Sequence, residues 1–183
     1  MADGSASTVH TPVETDVCDV VRLWPPADAA AFKDGLARLA SGVAVAACWS
    51  DGQPRGLLVN SLTGLSTEPP RVLFCVRKAA SSHDALLKAD AVSLSILTPD
   101  HAGEAERFSR ADLAAERFGE AWRLNAAEPP ILADALVSLS GPVHCRIDAG
   151  THTVFILDVS VARCRDAQPM VYFNRGFETL ARG

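Results

Sequence analysis

The sequence contains no run of lysine or arginine, and its 183 residues carry a formal net charge of −5 at pH 7. A nucleic-acid-binding protein needs clustered positive charge to neutralise phosphates, so the composition argues against that class and against a nucleic-acid partner. The five cysteines are scattered and form no C-x-x-C pair. We therefore predict neither a disulfide framework nor a metal site.

Signals for targeting and membrane insertion are also missing. The N-terminus has no charged region followed by an apolar region, and no apolar run approaches membrane-spanning length. We expect a soluble cytoplasmic protein without a membrane partner. The length and the hydrophobic fraction of 48% suit one globular domain. We assign residues 1–24 to a flexible N-terminal tail, because its beginning is rich in small and polar residues, and residues 25–183 to the domain.

Two stretches carry helical patterns. Residues 25–42 combine a helix start and a helix stop, with Phe32, Leu36 and Leu39 at helical spacing between them. A charged stretch at 101–122 predicts a helical insertion. The rest of the chain is poor in helix signals, so the predicted class is mainly β with α decoration.

Short strand signals joined by tight turns fill the remainder, and they lie at 43–49, 55–59, 71–76, 91–97, 131–140, 143–147, 153–161 and 170–173. The Asp51-Gly52 pair between the first two predicts a hairpin. This pattern predicts a closed antiparallel barrel. A doubly wound nucleotide-binding sheet is not indicated, because helices do not alternate with the strands and no G-x-G-x-x-G follows any strand.

A run of small polar residues follows the second strand, and its members are Asn60, Ser61, Thr63, Gly64 and Ser66. Short neutral donors and acceptors suit a ligand that is flat, polar at its edges and uncharged where it is held. From the residues alone, a strand that runs into a serine-rich turn is the commoner explanation.

The order of these signals resembles one family, the short-chain flavin reductases, which are reductase components of two-component flavin-dependent monooxygenases. The resemblance spans about residues 32–180. It rests on seven short motifs in the same order, at 32–43, 51–66, 69–76, Ser82-His83-Asp84, Arg117-Phe118 with Trp122, 150–155 and 172–175. It implies an antiparallel FMN-binding split β-barrel with an N-terminal helix and a helical insertion around 101–122.

The resemblance also implies roles for individual positions. The implied cofactor-binding residues are Leu58, Val59, Asn60, Ser61 and Ser66 at the flavin ring, Arg77, Lys78, Ser81, Ser82 and His83 at the ribityl chain and phosphate, and Tyr172 and Arg175 over the ligand. A basic turn with hydroxyls and free backbone N–H groups suits a phosphate. His152 matches a histidine near the nicotinamide and is the candidate catalytic residue.

The implied activity is hydride transfer from NADH or NADPH to FMN or FAD, with reduced flavin supplied to a separate monooxygenase. The cofactors carry this chemistry, so the protein needs no nucleophile or acid–base pair. A homodimer is also implied. Two alternatives stay open: a flavoprotein of the same fold that acts on another substrate without reductase activity, and a binding protein with a decayed flavin site.

Four positions depart from the pattern of the family. Leu58 stands where the family usually has Thr, and Gly64 and Ala80 stand where it often has Ser. Thr151 stands where an Asp usually precedes the histidine. The missing acid bears on nicotinamide use more than on flavin binding. The departures at Thr151 and Leu58 together motivate the first alternative.

The matched positions divide the site into a flavin side and a nicotinamide side. We predict that Asn60→Ala weakens flavin binding and leaves the fold intact, because it removes one polar contact from a loop.

We predict that His152→Ala slows NAD(P)H oxidation more than it weakens flavin binding. Flavin fluorescence quenching and nicotinamide absorbance measure the two effects, and equal loss of both in His152→Ala would contradict the division.

Overall fold

The computed structural model describes residues 25–180. The predicted N-terminal tail at 1–24 and the last three residues lie outside this range. Within it, the α-helices are α1 Ala29–Ala37, α2 His83–Lys88 and α3 Ala102–Ser109, and short 3-10 turns lie at Pro99–His101 and Ala114–Glu116. The strands are β1 Ser41–Gly42, β2 Ala44–Ser50, β3 Gln53–Val59, β4 Thr63–Thr67, β5 Pro70–Arg77, β6 Ala91–Ile96, β7 Trp122–Arg123, β8 Ile131–Leu132, β9 Val137–Ala149, β10 His152–Asp158, β11 Val161–Cys164, β12 Met170–Phe173 and β13 Gly176–Thr179.

The main sheet is antiparallel and runs in the order β3-β2-β6-β9-β10-β5-β4, with β11 paired to β9. Its two end strands, β3 and β4, follow each other in the chain but do not pair. The sheet curls around one core, so the barrel is open between these two strands. Two small sheets, β1-β12-β13 and β7-β8, lie outside it. The predicted fold class, an antiparallel split β-barrel with α decoration, is confirmed.

The β2–β3 hairpin is the clearest case of a local signal that fixes structure. Asp51 and Gly52 form its turn with φ of 50° and 71°, a conformation that favours these two residue types. The strands then pair from Ser50 opposite Gln53 to Ala44 opposite Val59. This brings the start of the polar run, after β3, to the open side of the barrel.

Strand β2 is buried on both faces, which explains its unbroken apolar sequence. Its residues facing the barrel core are Ala44, Ala46 and Cys48, and those facing a second core are Val45 and Ala47. The second core lies between the barrel and α3, where its larger members are Phe108, Trp122, Leu132 and Met170. The helical insertion therefore packs on the outside of the barrel through its own hydrophobic cluster.

The predicted helical insertion around 101–122 is only partly helical. Helix α3 ends at Ser109, and the chain continues through turns to β7. The guanidinium of Arg117 donates to the carbonyl oxygens of Arg107 and Arg110, at 2.9 and 2.6 Å, and so occupies acceptors that a further helical turn would use. The helix prediction is therefore wrong beyond Ser109.

The predicted strands at 131–140 and 143–147 are also revised. Residues 133–136 are not in a strand, and β9 runs without interruption through Gly141-Pro142. A Cβ atom at Gly141 would lie 1.9 Å from the carbonyl oxygen of Asp158, so only glycine lets the neighbouring chain approach here. The Gly-Pro pair therefore permits close packing inside one long strand rather than ending it.

Helix α1 turns its apolar side outward. Asp28 caps its N-terminus by accepting from the backbone N–H of Ala31 at 2.8 Å. Phe32 and Leu36 on one side of the helix, and Leu39 just after its end, are 58%, 51% and 64% exposed. A helix whose apolar stripe meets solvent has not buried the surface that normally stabilises it.

The cysteines bear on disulfide formation, and the helices bear on membrane insertion. The four cysteines in the described range are free, and burial raises the pKa of the Cys48 thiol to about 11. Cys48 therefore stays protonated and packs as a small hydrophobe. Over residues 25–180, none of the helices is long or apolar enough to cross a membrane.

Candidate functional site

A pocket of about 390 Å³ opens beside β3 at the edge of the second core. Its lining residues are Val43, Leu57, Leu58, Asn60, Ala79, Ala80, Ser81, Phe108, Ser109, Ala111, Arg117, Tyr172 and Phe177. Four segments supply all of them except Val43, which lies between β1 and β2: the end of β3, the turn after β5, the insertion that begins with α3, and the β12–β13 hairpin. The volume lies within the range of small-molecule and cofactor sites.

The end of β3 forms the first wall. Leu57 and Leu58 are half-buried, and Asn60 is exposed just beyond the strand. Since side chains alternate along a strand, Val59 and Leu57 pack toward the barrel core and Leu58 packs toward the second core. Of these three residues, Leu57 and Leu58 reach the pocket lining, and Asn60 adds an amide at the rim.

The turn after β5 forms the second wall. It is closed by backbone bonds from the Ala80 N–H to the Arg77 carbonyl and from the His83 N–H to the Ala80 carbonyl. The Ser82 hydroxyl donates to the carbonyl oxygen of Gly56 on β3 at 2.8 Å, in a buried position. Ser82 stands at the N-cap of α2 but makes no capping bond with its side chain.

The insertion forms the third wall and is fastened to β3 by Arg117. Its Nη1 donates to the Gly56 carbonyl at 2.9 Å, and its guanidinium lies 5.4 Å from the centre of the Phe108 ring. Phe108, Phe118 and Trp122 pack together with ring centroids 4.8 to 5.1 Å apart. Burial lowers the pKa of the Arg117 guanidinium, which nonetheless stays charged because arginine titrates far above neutral pH.

Gly56 is where the first three walls meet. Its carbonyl oxygen accepts hydrogen bonds from both Ser82 and Arg117. A Cβ atom at this position would lie 2.7 Å from the Ala46 carbonyl oxygen and 3.1 Å from the Phe118 ring. The position therefore requires glycine for packing as well as its carbonyl for bonding.

The β12–β13 hairpin forms the fourth wall. The rings of Tyr172 and Phe177 meet edge to face at 5.9 Å. The turn between them has positive φ at Asn174 and Arg175, and the Arg175 guanidinium pairs with Asp34 of α1. Arg175 therefore anchors the hairpin to α1 and is not among the residues that line the pocket.

Four of the residues implied by the family resemblance line the pocket together: Leu58, Asn60, Ser81 and Tyr172. The two serines of the polar run instead serve the sheet. The Ser61 hydroxyl accepts from the Cys75 N–H at 2.9 Å, and the Ser66 hydroxyl donates to the Pro69 carbonyl at 2.5 Å. Their side chains secure the strands on the open side of the barrel.

The remaining implied residues lie beside the pocket rather than in its lining. Lys78 is paired with Asp148 at 2.7 Å. The candidate catalytic residue His152 is exposed, opposite Arg77 in the β5–β10 pairing, and its Nδ1 lies 2.9 Å from the Thr151 hydroxyl.

His83 is buried between α2 and β10. Its Nε2 lies 2.9 Å from the Thr153 hydroxyl, and its Nδ1 lies 3.2 Å from the Asp84 carboxylate. These contacts join the end of the pocket turn to the strand that carries His152. His83 thus has a structural position, and its implied role at the ribityl chain and phosphate stays a prediction.

Sequence reasoning missed several lining residues, which are Val43, Leu57, Ala79, Ala80, Phe108, Ser109, Ala111, Arg117 and Phe177. The alanines carry no chemical signal of their own. Arg117 and Phe108 lie in the predicted insertion around 101–122, but only the tertiary packing of the insertion brings them to β3. A repeat of aromatic residues around the Asn174-Arg175 turn was the one available hint for Phe177.

The chemistry of the pocket is that of a binding site for a flat, largely apolar ligand with polar edges. Apolar walls exclude water, and the few polar groups at the rim can fix orientation. In the described part of the chain, no cluster of His, Cys, Asp or Glu is arranged to hold a metal ion.

Fold and pocket together define an open antiparallel barrel with one cofactor-sized side pocket. A family model described as "Flavin reductase like domain" matches residues 36–181. The chain belongs to the flavin reductase-like family, and the resemblance inferred from the sequence is confirmed.

Similar proteins support the same conclusion. The reductase component of a 4-nitrophenol 4-monooxygenase/4-nitrocatechol 2-monooxygenase from Rhodococcus opacus is 32% identical over 83% of this chain and 81% of that protein. FMN reductase (NADH) RutF 1 from Methylorubrum extorquens is 33% identical over 86% and 79%. The solved structure of the Streptomyces globisporus NADH:FAD oxidoreductase SgcE6 matches with a TM-score of 0.79 and 27% identity, covering 88% of this chain and 98% of that one.

The bond from Ser82 to Gly56 gives a direct test of the pocket's construction. We predict that Ser82→Ala lowers the free energy of unfolding by about 1 kcal/mol, because a buried hydrogen bond is lost. Ser81→Ala is the matched control on the exposed side of the same turn, with an expected change within about 0.5 kcal/mol. Urea denaturation followed by circular dichroism measures both, and equal stability of the two variants would contradict the assignment.

Proposed function

We propose that this protein is an NAD(P)H-dependent flavin reductase that supplies reduced FMN or FAD to a partner monooxygenase. The pocket at the open side of the barrel, in a chain of the flavin reductase-like family, carries the proposal. NADH is named as the donor for RutF 1 and for SgcE6, and we extend it to this chain. A cytoplasmic location is part of the proposal.

The lining residues fit a flavin. Leu57 and Leu58 offer an apolar surface to a flat ring, and Asn60 offers an amide donor and acceptor at its edge. The wall at 79–81 lacks large side chains, and the Ala80 N–H is taken by the Arg77 carbonyl, so the N–H groups of Ala79 and Ser81 and the Ser81 hydroxyl are the donors we assign to a ribityl chain or phosphate. Arg77 is exposed beside this turn and is the cation we assign to the phosphate end.

The protein supplies binding, orientation and exclusion of water, whereas the bound flavin supplies the capacity to accept a hydride. We retain His152 as the residue of the nicotinamide side. Its exposed ring lies at the end of β10 next to Arg77, so it is accessible from solvent without entering the flavin pocket. Tyr172 and Phe177 form the wall that would close over the ligand from the C-terminal side.

A second copy of this chain is the partner we assign to the outer side of α1. The opposite side of α1 is already held by the β12–β13 turn, through the Arg175–Asp34 ion pair and the bond from the Asn174 N–H to the Ala37 carbonyl. The exposed stripe of Phe32, Leu36 and Leu39 is therefore left for contact with another molecule. Isologous pairing of α1 across a two-fold axis buries this stripe in both copies.

The reductase activity is tested by NADH and NADPH oxidation with and without added FMN or FAD. We expect oxidation that depends on added flavin, because the flavin is the acceptor of the hydride. The pair of cofactors with the highest kcat/KM identifies the physiological combination. Flavin binding without turnover would overturn the proposal and favour a flavoprotein that acts on another substrate.

The α1 contact is tested by sedimentation velocity at micromolar concentration. We expect a dimer for the wild-type chain and a shift to monomer for Leu36→Asp, because burying a carboxylate in an apolar contact is costly. Leu124→Asp, which changes an exposed leucine outside α1, is the control and is expected to leave the dimer intact. A monomeric wild-type protein would contradict the assignment.

A further inference from the structure

Arg117 is the only residue with a formal charge among the thirteen that line the pocket. The other lining side chains are aliphatic, aromatic, hydroxyl or amide groups. Arg117 is half-buried, and a charge at a half-buried position is screened less than one on the open surface. The electrostatic character of the pocket is therefore set by this guanidinium.

The guanidinium is held rigidly by backbone carbonyls. Its Nε, Nη1 and Nη2 donate to the carbonyl oxygens of Arg107, Gly56 and Arg110 at 2.9, 2.9 and 2.6 Å. A guanidinium has five N–H groups, and these bonds use one from each nitrogen. One N–H on each of Nη1 and Nη2 thus remains to serve a ligand.

Within residues 25–180 the Arg117 side chain makes no ion pair with a carboxylate. The nearby arginines differ in this respect: Arg107 pairs with Glu104, and Arg110 pairs with Glu106 and Asp112. Carbonyl dipoles orient the Arg117 charge but do not neutralise it. A bound group with negative charge would therefore gain stabilisation that a neutral group would not.

We propose that Arg117 gives the pocket a preference for reduced flavin, whose ring is anionic, over oxidised flavin, whose ring is neutral. This inference rests on the proposed function. Hydride transfer moves two electrons and one proton from the dihydronicotinamide to the flavin ring, so the nicotinamide leaves as a cation and the ring system gains one negative charge. Arg117 is positioned to receive that charge.

The preference has a consequence for delivery. A reductase that binds reduced flavin more tightly than oxidised flavin retains its product until another protein takes it up. The charge on Arg117 thereby favours transfer to a protein acceptor over release into oxygenated solvent.

The test compares the dissociation constants of oxidised and reduced FMN for the wild-type chain, Arg117→Met, Arg117→Lys and Arg110→Met. Reduced FMN is prepared by photoreduction, and binding is measured by anaerobic ultrafiltration. For Arg117→Met we expect the affinity for reduced FMN to fall about tenfold more than that for oxidised FMN, the size typical of one lost charge-assisted hydrogen bond. Arg117→Lys keeps the charge and should retain most of the preference.

Arg110→Met is the matched control, because it removes a cation of the same insertion whose charge is already paired with carboxylates. We expect it to leave the ratio of the two affinities unchanged. Riboflavin, which lacks the phosphate, is measured in parallel. Loss of affinity for FMN in both redox states, but not for riboflavin, would place the phosphate at Arg117 and overturn the inference.

Two further outcomes separate this inference from the proposed function. If wild-type protein binds both forms of FMN and Arg117→Met weakens them equally, Arg117 only fastens the insertion and the inference fails alone. If wild-type protein binds neither form, the proposed function fails together with it. Thermal unfolding of each variant checks that the insertion is still packed on the barrel.

Discussion

The pocket depends on one backbone carbonyl, that of Gly56 on the end strand β3. End strands leave carbonyl and N–H groups without sheet partners, and such groups need other partners or solvent. Here the unpaired carbonyl accepts from Ser82 and from Arg117, so two segments outside the sheet are attached to the barrel at the same atom. The walls are thus positioned by the rigid sheet rather than by each other, and the opening of the barrel becomes the place where a ligand site can form.

Local signals were sufficient for most of the fold. The Asp51-Gly52 turn and the start of α1 were readable because a few adjacent residues determine them. The insertion was misjudged beyond Ser109, since the helix stops where a guanidinium from later in the chain takes its carbonyls. Strand β9 was divided at Gly141-Pro142 because a turn signal was visible and the close approach of the neighbouring chain was not. Long-range contacts overrode local preference in both cases.

The site was only partly readable for the same reason. Leu58, Asn60, Ser81 and Tyr172 belong to recognisable motifs and do line the pocket. Ser61 looks like a ligand contact in the sequence, yet its hydroxyl bonds to Cys75, near the edge where β3 and β4 fail to pair. A hydroxyl has the same appearance in both roles, and only its partner distinguishes them. Arg117 shows the opposite case, a residue of ordinary appearance that tertiary packing carries into the lining.

The alanines of the lining bear on how such a pocket changes over evolutionary time. Ala79, Ala80 and Ala111 contribute little more than methyl groups, so much of the surface they form is main chain. Main-chain donors and acceptors are the same for every residue type except proline, and their placement follows from the turn rather than from the side chain. A recognition surface of this kind can keep its shape while the sequence drifts. Sequences that share this barrel can then diverge widely, and the short motifs of the lining carry little information about the ligand.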